Sequence, residues 1–385
     1  MSWEIVKLGD ISLNIQTGPF GSQLHQSDYS ESGTPVVMPK DLVNGKISEQ
    51  SIARVAEEHV RRLNRHVVKE GDILYSRRGD VGRCAFVTSK EAGWLCGTGC
   101  LRVTTNTEIV DSKYLFYYLQ QPATIGWVEK HAIGATMLNL NTTILSNIPI
   151  LLPPLEIQYH IEKILSAYDD LIENNQKQIK LLEEAAQRLY KEWFADLRFP
   201  GYEDVAIVDG VPEGWTKSPI GDIIGKVSRS KQIKTSDYLS EGSIPVIDQS
   251  RDFIAGYTND TESLVNIGCS VIVFGDHTRI LKYVQFPFAK GADGTQLIVS
   301  CKDNMPQSLL YCGLVAIDLS NYHYARHFKY LKAEMILVPT KKIADKFDSI
   351  ISPILQQIQK LRDISNKSTQ ARDRLLSKMM SGEVV

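Results

Sequence analysis

Two long stretches of the chain carry apolar residues at helical spacing. In the first, from Leu155 to Phe194, apolar positions recur at alternating intervals of four and three residues. This spacing predicts a long helix with a coiled-coil seam. The seam residues are Ile161, Leu165, Tyr168, Ile172, Asn175, Ile179, Leu182, Ala186, Leu189 and Trp193. Asn175 is the polar member, and two interpretations are open: it fixes the register from inside the seam, or it lies at a wet edge.

The second stretch, from Lys342 to Met380, aligns with the first without a gap, so that Ile343 falls opposite Ile157. Its seam residues are Ile343, Phe347, Ile350, Ile354, Ile358, Leu361, Ile364, Ala371 and Leu375. Pro353 lies inside this stretch, so we expect a kink or a break there. Residues 155–195 hold five basic and eight acidic side chains, whereas residues 341–385 hold nine basic and five acidic ones. The opposite net charges favour pairing of the two helices, and each follows its own globular part, which favours an antiparallel arrangement.

The two globular parts are predicted to be α+β. Short alternating runs such as "GTPVVMP", "GDILYS" and "GCLRVTT" indicate strands that are separated by Gly, Pro and Asp turns. The stretch Ser112–Gln121 indicates a helix that is capped by Asp111 or Ser112.

The globular parts also repeat each other. "WEIVKLGDI" from Trp3 has the counterpart "WTKSPIGDI" from Trp215. Further along, the alignment places Asp276 opposite Asp80 and Gly294 opposite Gly97. The sequence therefore predicts two tandem α/β domains separated by two long helices, which form an antiparallel coiled coil with a pseudo-twofold. The predicted segments are a first domain at 1–154, a central helix at 155–199, a second domain at 200–340 and a C-terminal helix at 341–385.

Composition limits the class of protein. The formal net charge is −2, so binding to nucleic acid has to come from local basic patches. The six cysteines include no CxxC pair, which favours unpaired thiols, and no run of about 18 apolar residues indicates a membrane span. Because the N-terminus has no apolar signal-peptide core, we expect a cytoplasmic protein.

No catalytic motif is recognisable. "TGPFGSQL" at Thr17–Leu24 resembles a phosphate loop, but no Gly-Lys-Ser/Thr follows it, so a turn is the preferred interpretation. "LLPPLEIQ" lacks the polar residue before its prolines that an amino-methyltransferase motif needs. The histidines and cysteines show no metal-ligand spacing. We therefore predict no catalytic residue, no metal and no cofactor in this chain.

Basic and polar loops occur in both globular parts instead. "YSRRGDVGR" from Tyr75 and "FGDHTRILK" from Phe274 each group cations around a turn after a strand. Arginine can hydrogen-bond guanine in a bidentate manner, and lysine can hold phosphates. The candidate DNA-binding residues are Ser22, Gln23, Lys40, Arg77, Arg78, Arg83, Lys231, Lys234, His277, Thr278, Arg279, Lys282, Arg326 and Lys329.

The order of these motifs resembles the DNA-specificity (S) subunits of Type I restriction-modification enzymes over essentially the full length. The motifs that carry the resemblance are "TGPFGSQL", "YSRRGDVGR", "IGATMLNLNTTILSNIPILLPPLEIQ", "RLYKEWFADLRFPG", "FGDHTR", "GADGT" and "RDRLLSKMMSGE". One departure is that "GKVSRSKQIK" stands in the second domain where the first has "TGPFGS". The weaker second helix is another departure.

The resemblance implies a host-defence subunit without catalysis of its own. Each target-recognition domain would bind one half of a bipartite, asymmetric duplex site, and the helices would set the gap and dock two methyltransferase (M) subunits. S-adenosylmethionine would bind the M subunits, and ATP with Mg would serve the restriction (R) motor-nuclease subunits. Two other classes stay open from the residues: a single-chain enzyme, such as a methyltransferase with an unrecognised site, and an assembly scaffold whose recognition function has decayed.

Overall fold

The computed structural model describes residues 3–134, 138–228, 230–291, 294–321 and 326–384. It divides into two compact units, Met1–Ile172 with Lys367–Val385, and Glu173–Asn366. Each unit thus contains one globular part and a segment of both long helices. The division predicted from the sequence instead counts each long helix as a separate segment. The boundaries of these four segments stay a prediction. Arg229, residues 135–137 and residues 292–293, which belong to three quoted motifs, lie outside the described residues, and so do residues 322–325.

The first unit contains twelve described strands and four short helices. The strands are β1 Glu4–Lys7, β2 Ser12–Thr17, β3 Tyr29–Ser30, β4 Thr34–Val37, β5 Leu42–Val43, β6 Lys46–Ile47, β7 Ala53–Val55, β8 Ile73–Ser76, β9 Cys84–Phe86, β10 Leu95–Cys96, β11 Cys100–Thr105 and β12 Pro149–Leu152. The helices are α1 Glu57–Arg62, α2 Ser112–Leu119, α3 Pro122–His131 and α4 Thr142–Ser146. Asp111 caps α2 because its carboxylate accepts the Tyr114 N–H at 2.7 Å, as the sequence indicated.

The first long helix, α5, runs through Leu155–Tyr190 and ends in a π-helical turn at Lys191–Ala195. Eleven described strands and two short helices follow, and then the second long helix, α8. The strands are β13 Ile207–Val208, β14 Val211–Pro212, β15 Thr216–Pro219, β16 Ile244–Ile247, β17 Gly256–Thr258, β18 Leu264–Val265, β19 Val271–Gly275, β20 Leu281–Val284, β21 Phe288–Lys290, β22 Thr295–Ile298 and β23 Met335–Val338. The helices are α6 Gln307–Val315, α7 His327–Ala333 and α8 Lys341–Met380. The predicted α+β class with two long helices is confirmed.

The main sheets of the two units share their core strand pairings, whereas the outer pairings β3–β7 and β18–β21 each have only an isolated bridge as their counterpart. In the first unit the orders are β2-β11-β8-β9 and β10-β4-β7-β3, and β10 is parallel to β4. In the second unit the orders are β22-β19-β20 and β17-β16-β21-β18, and β21 is parallel to β16. The second unit has only an isolated bridge, Ile224 with Ser300, where the first has the pairing of β2 with β11. The sequence repeat is therefore a repeat of these core pairings.

The register at the base of each unit confirms the alignment of the repeat. β1 pairs antiparallel with β12, with Glu4 opposite Leu152. β15 pairs antiparallel with β23, with Thr216 opposite Val338. Glu4 and Thr216 each follow the tryptophan that opens their half of the repeat, and Leu152 and Val338 stand at the same distance before the two long helical stretches. The short strand pair closes each globular part directly before its long helix.

Within each unit the two long-helix segments pack against each other. In the first unit, Asp169 forms an ion pair with Arg372 at 2.6 Å, and both segments contribute to one buried apolar cluster. In the second unit, Glu183 forms an ion pair with Arg362 at 2.7 Å, whereas Tyr190 lies 6.3 Å from Phe347 between ring centroids. From the first contact to the second, the residue number increases along α5 and decreases along α8. The two helix segments of the second unit therefore run antiparallel.

The predicted seam needs two corrections on α8. Ile350 and Ile364 are exposed by 40% and 44%, and Ile351 and Leu355 are buried instead. The N-terminal part of α8 also packs on the globular core of its unit, where the Ser308 hydroxyl donates to Asp348. Around Ile350, this second contact turns the buried stripe by about one residue. The helix runs unbroken through Pro353, so the expected break is absent.

The other predicted seam positions are buried or half-buried. These are Ile161, Leu165, Tyr168, Ile172, Ile179, Leu182, Leu189, Ile354, Ile358, Leu361 and Leu375. Asn175 is only 3% exposed, and its Nδ2 atom has no hydrogen-bond partner among the described residues. Of the two interpretations, the wet edge is therefore wrong, and Asn175 is a buried polar residue of the second unit.

Candidate nucleic-acid interface

One edge of the first unit collects the loops that the sequence singled out. Strand β11 is antiparallel to both β2 and β8, so the ends of β2 and β8 meet the beginning of β11. Residues 17–24, 77–83 and 96–100 therefore lie together, and residues 38–41 join them after β4. We call these four segments the first loop edge. The candidate residues Ser22, Gln23, Lys40, Arg77, Arg78 and Arg83 all belong to it.

Backbone hydrogen bonds tie the segments of the first loop edge together. The Gly18 N–H donates to the Cys100 carbonyl, and the Arg77 N–H donates to the Gly99 carbonyl, each at 2.9 Å. A Cβ atom at Gly18 would lie 1.9 Å from the Gly97 carbonyl oxygen, so only glycine allows this approach. The loops are consequently held by the strands that they leave, as a binding surface on a rigid scaffold requires.

The arginines of the first loop edge have different surroundings. Arg83 forms an ion pair with Asp80, with Nε and Oδ2 2.5 Å apart. Arg78 is exposed. Arg77 is half-buried, its Nε atom has no hydrogen-bond partner among the described residues, and its guanidinium carbon lies 6.0 Å from the centroid of the Phe20 ring. Arg77 thus carries its charge beside an exposed aromatic ring, and no ion pair among the described residues neutralises it.

The polar candidates of this edge are mostly accessible. Ser22 is exposed, and so is Lys40, whose Nζ donates to the Ser51 carbonyl at 2.9 Å. Gln23 is half-buried because its Oε1 atom accepts the Phe20 N–H at 3.0 Å. Gln23 therefore shapes the 17–24 turn, which is the turn that the sequence preferred over a phosphate loop.

The second unit builds a corresponding edge. The Asp276 N–H donates to the Gly294 carbonyl at 2.7 Å, and the Gly291 N–H donates to the Ile247 carbonyl at 2.9 Å. These bonds match those from Arg77 to Gly99 and from Gly97 to Val37 in the first unit. We call residues 231–234, 248–250 and 276–280, together with Gly291 and Gly294, the second loop edge.

These matched hydrogen bonds correct the sequence alignment. Asp276 is the counterpart of Arg77 rather than Asp80, and Gly291 is the counterpart of Gly97. The cause is loop length, because seven residues separate β8 from β9 but only five separate β19 from β20. The Gly-Asp dipeptides that guided the alignment stand at different places relative to their strands.

Asp276 supports the second loop edge from inside. It is only 4% exposed, and its Oδ1 atom accepts the Phe328 N–H at 2.8 Å, at the start of α7. Above it, Gln249 orders the candidate residues: its Oε1 atom accepts the His277 N–H at 3.1 Å, and its carbonyl accepts the Thr278 hydroxyl at 2.7 Å. His277 and Thr278 are both exposed and so can meet a ligand.

The remaining cations of the second unit differ in how they are engaged. Lys234, Arg326 and Lys329 are exposed. Lys231 lies 2.8 Å from Asp260, whose carboxylate raises the pKa of the lysine. Arg279 is half-buried at φ +61°, a left-handed conformation that is uncommon for a side chain of its size.

Lys282 does not fit its predicted role. It is 4% exposed on β20, where its Nζ donates to the Asp252 carbonyl and lies 3.9 Å from the Asp248 carboxylate. Burial lowers the pKa of Lys282 to about 8, against the opposing effect of the Asp248 charge. Lys282 is therefore a structural residue that ties β20 to the 248–252 segment, and we remove it from the DNA-binding set.

Two residues of the loop edges escaped the sequence analysis. Phe20 is 52% exposed beside Arg77, and its position inside "TGPFGSQL" was the only signal. Gln249 has no motif around it, because its contacts come from the fold. Among the described residues, no group of His, Cys, Asp and Glu side chains is placed to hold a metal ion. In the same part of the chain, no helix is both long and apolar enough to cross a membrane.

Comparison with known proteins shows which proteins this chain resembles. The family model described as "Type I restriction modification DNA specificity domain" matches residues 1–184. The MjaIX specificity subunit of a Methanocaldococcus jannaschii Type I restriction enzyme is 25% identical, over 99% of this chain and 93% of its own length. The HindI specificity subunit of Haemophilus influenzae is 28% identical, over 54% of this chain and 44% of its own length.

A solved structure supports the fold along the whole chain. The Type I restriction-modification S subunit from M. genitalium superposes with a TM-score of 0.63 at 16% sequence identity, covering 98% of this chain and 96% of that one. The relatives are specificity subunits, which are non-catalytic recognition subunits. Residues 1–184 thus match the DNA specificity domain of Type I restriction-modification systems, and nearly the whole chain is similar to specificity subunits of this type.

Proposed function

We propose that this chain is a specificity subunit, each unit of which binds one half of a bipartite, asymmetric duplex site through its loop edge. The observation that carries the proposal is that two sheets with the same core strand pairings hold corresponding loops with the same backbone hydrogen bonds but with different side chains. Equal scaffolds with unequal contact residues fit two half-sites of different sequence. Exposed cations at both edges supply contacts to phosphates.

The residues that would contact DNA divide between the two units. On the first loop edge they are Ser22, Gln23, Lys40, Arg77, Arg78 and Arg83. In the second unit they are Lys231, Lys234, His277, Thr278, Arg279, Arg326 and Lys329. Arg77 and Arg78 are the strongest candidates for base contacts because arginine matches the O6 and N7 acceptors of guanine.

The long helices would fix the gap between the half-sites and dock two methyltransferase subunits. Ion pairs such as Asp169 with Arg372 and Glu183 with Arg362 hold the helical segments of each unit in register. The chain itself would need no cofactor. S-adenosylmethionine would act in the methyltransferase subunits, and ATP with Mg in the restriction subunits that join them in the cytoplasm.

The first experiment determines the site. Methylated adenines are mapped genome-wide in a host that produces this chain with the methyltransferase subunits of its own system. Synthetic duplexes with the mapped half-sites are then compared in binding assays at several salt concentrations. We expect salt-dependent binding that is lost when the gap changes by one base pair, since the second half-site is then displaced and rotated. Equal binding at all gap lengths would contradict the proposal.

The same preparation separates the alternatives. Equilibrium dialysis of the isolated chain with S-adenosylmethionine detects binding if the chain is a methyltransferase with an unrecognised site. If the chain assembles with methyltransferase subunits but the complex prefers no DNA sequence, the chain is an assembly scaffold. Arg78→Ala gives the result that supports the proposed function. We expect it to weaken binding to the first half-site and to leave the sequence preference at the second half-site unchanged.

A further inference from the structure

Phe20 is a large apolar side chain held toward solvent by a rigid turn. The Gln23 N–H donates to the Phe20 carbonyl at 2.8 Å, and the Phe20 N–H donates to the Gln23 side chain at 3.0 Å. Leu24, at 4% exposure, anchors the end of this turn in an apolar cluster. The turn is thus fixed on both sides while the ring remains 52% exposed.

The ring lies beside Arg77, whose side chain forms no ion pair among the described residues. The Arg77 guanidinium lies over Phe20 at 6.0 Å, and Arg77 Nε is buried without a hydrogen-bond partner among the described residues. A ring face next to a guanidinium restricts the directions that the cation can take. Phe20 therefore limits the conformations of Arg77 before any ligand arrives, which lowers the entropy that binding has to overcome.

The second loop edge has no such pair among its described residues. Its corresponding segment, 231–234, packs on the equivalent core through Ile233, which is 6% exposed, as Leu24 does in the first unit. The exposed residues beside Ile233 are Lys231, Gln232 and Lys234, and Asp276 takes the place of Arg77. The combination of an exposed ring and an adjacent arginine thus distinguishes the first loop edge from the second.

We propose that Phe20 is a specificity-determining residue that packs on the C5 methyl group of a thymine, next to a guanine bound by Arg77. This inference rests on the proposed function. In the major groove the thymine methyl is the apolar feature that distinguishes a T·A pair, and guanine presents the two acceptors that suit arginine. The 6.0 Å between guanidinium and ring is less than two base-pair steps of about 3.4 Å each, so the thymine lies within two base pairs of the guanine.

The test uses the complex with its methyltransferase subunits and duplexes in which each thymine of the first half-site is replaced singly by deoxyuridine. This change removes one methyl group and leaves base pairing intact. For the wild-type complex we expect binding to weaken about fourfold at one thymine within two base pairs of a guanine. For Phe20→Ala the same replacement has no effect. Leu13→Ala, which removes another exposed apolar side chain of this unit, responds as the wild type does.

Each outcome has a separate meaning. If the wild-type complex shows no preference for a bipartite site, the proposed function itself fails. If it binds the bipartite site and every deoxyuridine duplex binds like the parent, only the assignment of Phe20 is overturned. An undiminished deoxyuridine effect in Phe20→Ala also overturns it. Because each comparison is made within one protein variant, a general loss of folded protein does not mimic the expected result.

Discussion

The two loop edges place opposite charges on the first residue after equivalent strands. Arg77 follows β8 and turns its guanidinium toward Phe20, whereas Asp276 follows β19 and turns its carboxylate inward to the start of α7. Their backbone N–H groups nevertheless make the same hydrogen bond, to Gly99 and to Gly294. The main chain thus supplies the shared scaffold, and the side chain at this position is free to serve either recognition or stability.

The comparison predicts opposite consequences for two alanine substitutions. Arg77→Ala should weaken binding of the first half-site by about 1–3 kcal/mol, since it removes a candidate bidentate contact. It should change the free energy of unfolding by less than about 0.5 kcal/mol, because the Arg77 side chain forms no ion pair among the described residues and its Nε atom has no hydrogen-bond partner there. Binding to duplexes with one altered half-site, together with thermal melting, measures both effects.

Asp276→Ala should show the reverse pattern. It removes the acceptor for the Phe328 N–H at the start of α7, which should cost about 1–2 kcal/mol and lower Tm by about 2–8 °C. Asp276→Asn keeps an acceptor oxygen in place and serves as the matched control. If Arg77→Ala melts earlier than Asp276→Ala, the division of roles between the two edges is wrong.

A second difference lies on the neighbouring strand. Lys282 on β20 is buried, and its counterpart on β9 is Ala85, which is also buried but carries no charge. Burial lowers the pKa of Lys282 to about 8, below the 10.5 of a free lysine. Between these values the unfolded chain binds more protons than the folded chain, so this group makes stability rise with pH.

We therefore expect wild type to gain about 2 kcal/mol relative to Lys282→Met between pH 7.5 and 9.5. Denaturant titrations of both proteins at each pH measure this difference in the free energy of unfolding. Both proteins contain the same buried thiols, so the opposite pH dependence that these thiols cause drops out of the difference. Burial raises the pKa of Cys84 in the first unit and of Cys312 in the second to about 12, so both thiols lower stability above about pH 9. Lys302→Met, which removes an exposed amine, is the control, and an identical pH response in Lys282→Met would exclude the buried lysine as the cause.

The architecture could be predicted from the sequence because the two halves of the repeat align at many positions. The alignment that places Trp215 opposite Trp3 also places Thr216 opposite Glu4, and these two residues hold the same place in the registers of β15 with β23 and of β1 with β12. The long helices were visible because an apolar stripe repeats over many turns. Their register against the core was less visible: Ile350 is exposed because α8 packs on the globular core as well as on α5.

The candidate interface was predicted less completely. Arg77 and Arg78 were found because they are clustered cations in a turn, but nothing local showed that Lys282 is enclosed by Asp248 and Asp252. The role of Phe20 depends on its contact with Arg77, which is far away in the chain. Such contacts are set by strand order, and a single sequence does not contain that order.

The smallest expected effect concerns the equivalent helix positions Asn175 and Leu361. Both are buried, at 3% and 5% exposure, but Asn175 Nδ2 has no hydrogen-bond partner among the described residues. An unsatisfied buried amide costs free energy, so Asn175→Leu should stabilise the protein by about 1 kcal/mol and raise Tm by about 2–4 °C. Gln178→Leu, at an exposed position one turn away, is the control and should leave Tm nearly unchanged.

A buried polar residue can also fix the register of paired helices. If Asn175 has this role, Asn175→Leu in its methyltransferase complex should bind sites with half-site gaps that wild type rejects. An unchanged gap preference would show that Asn175 lowers stability without fixing the register.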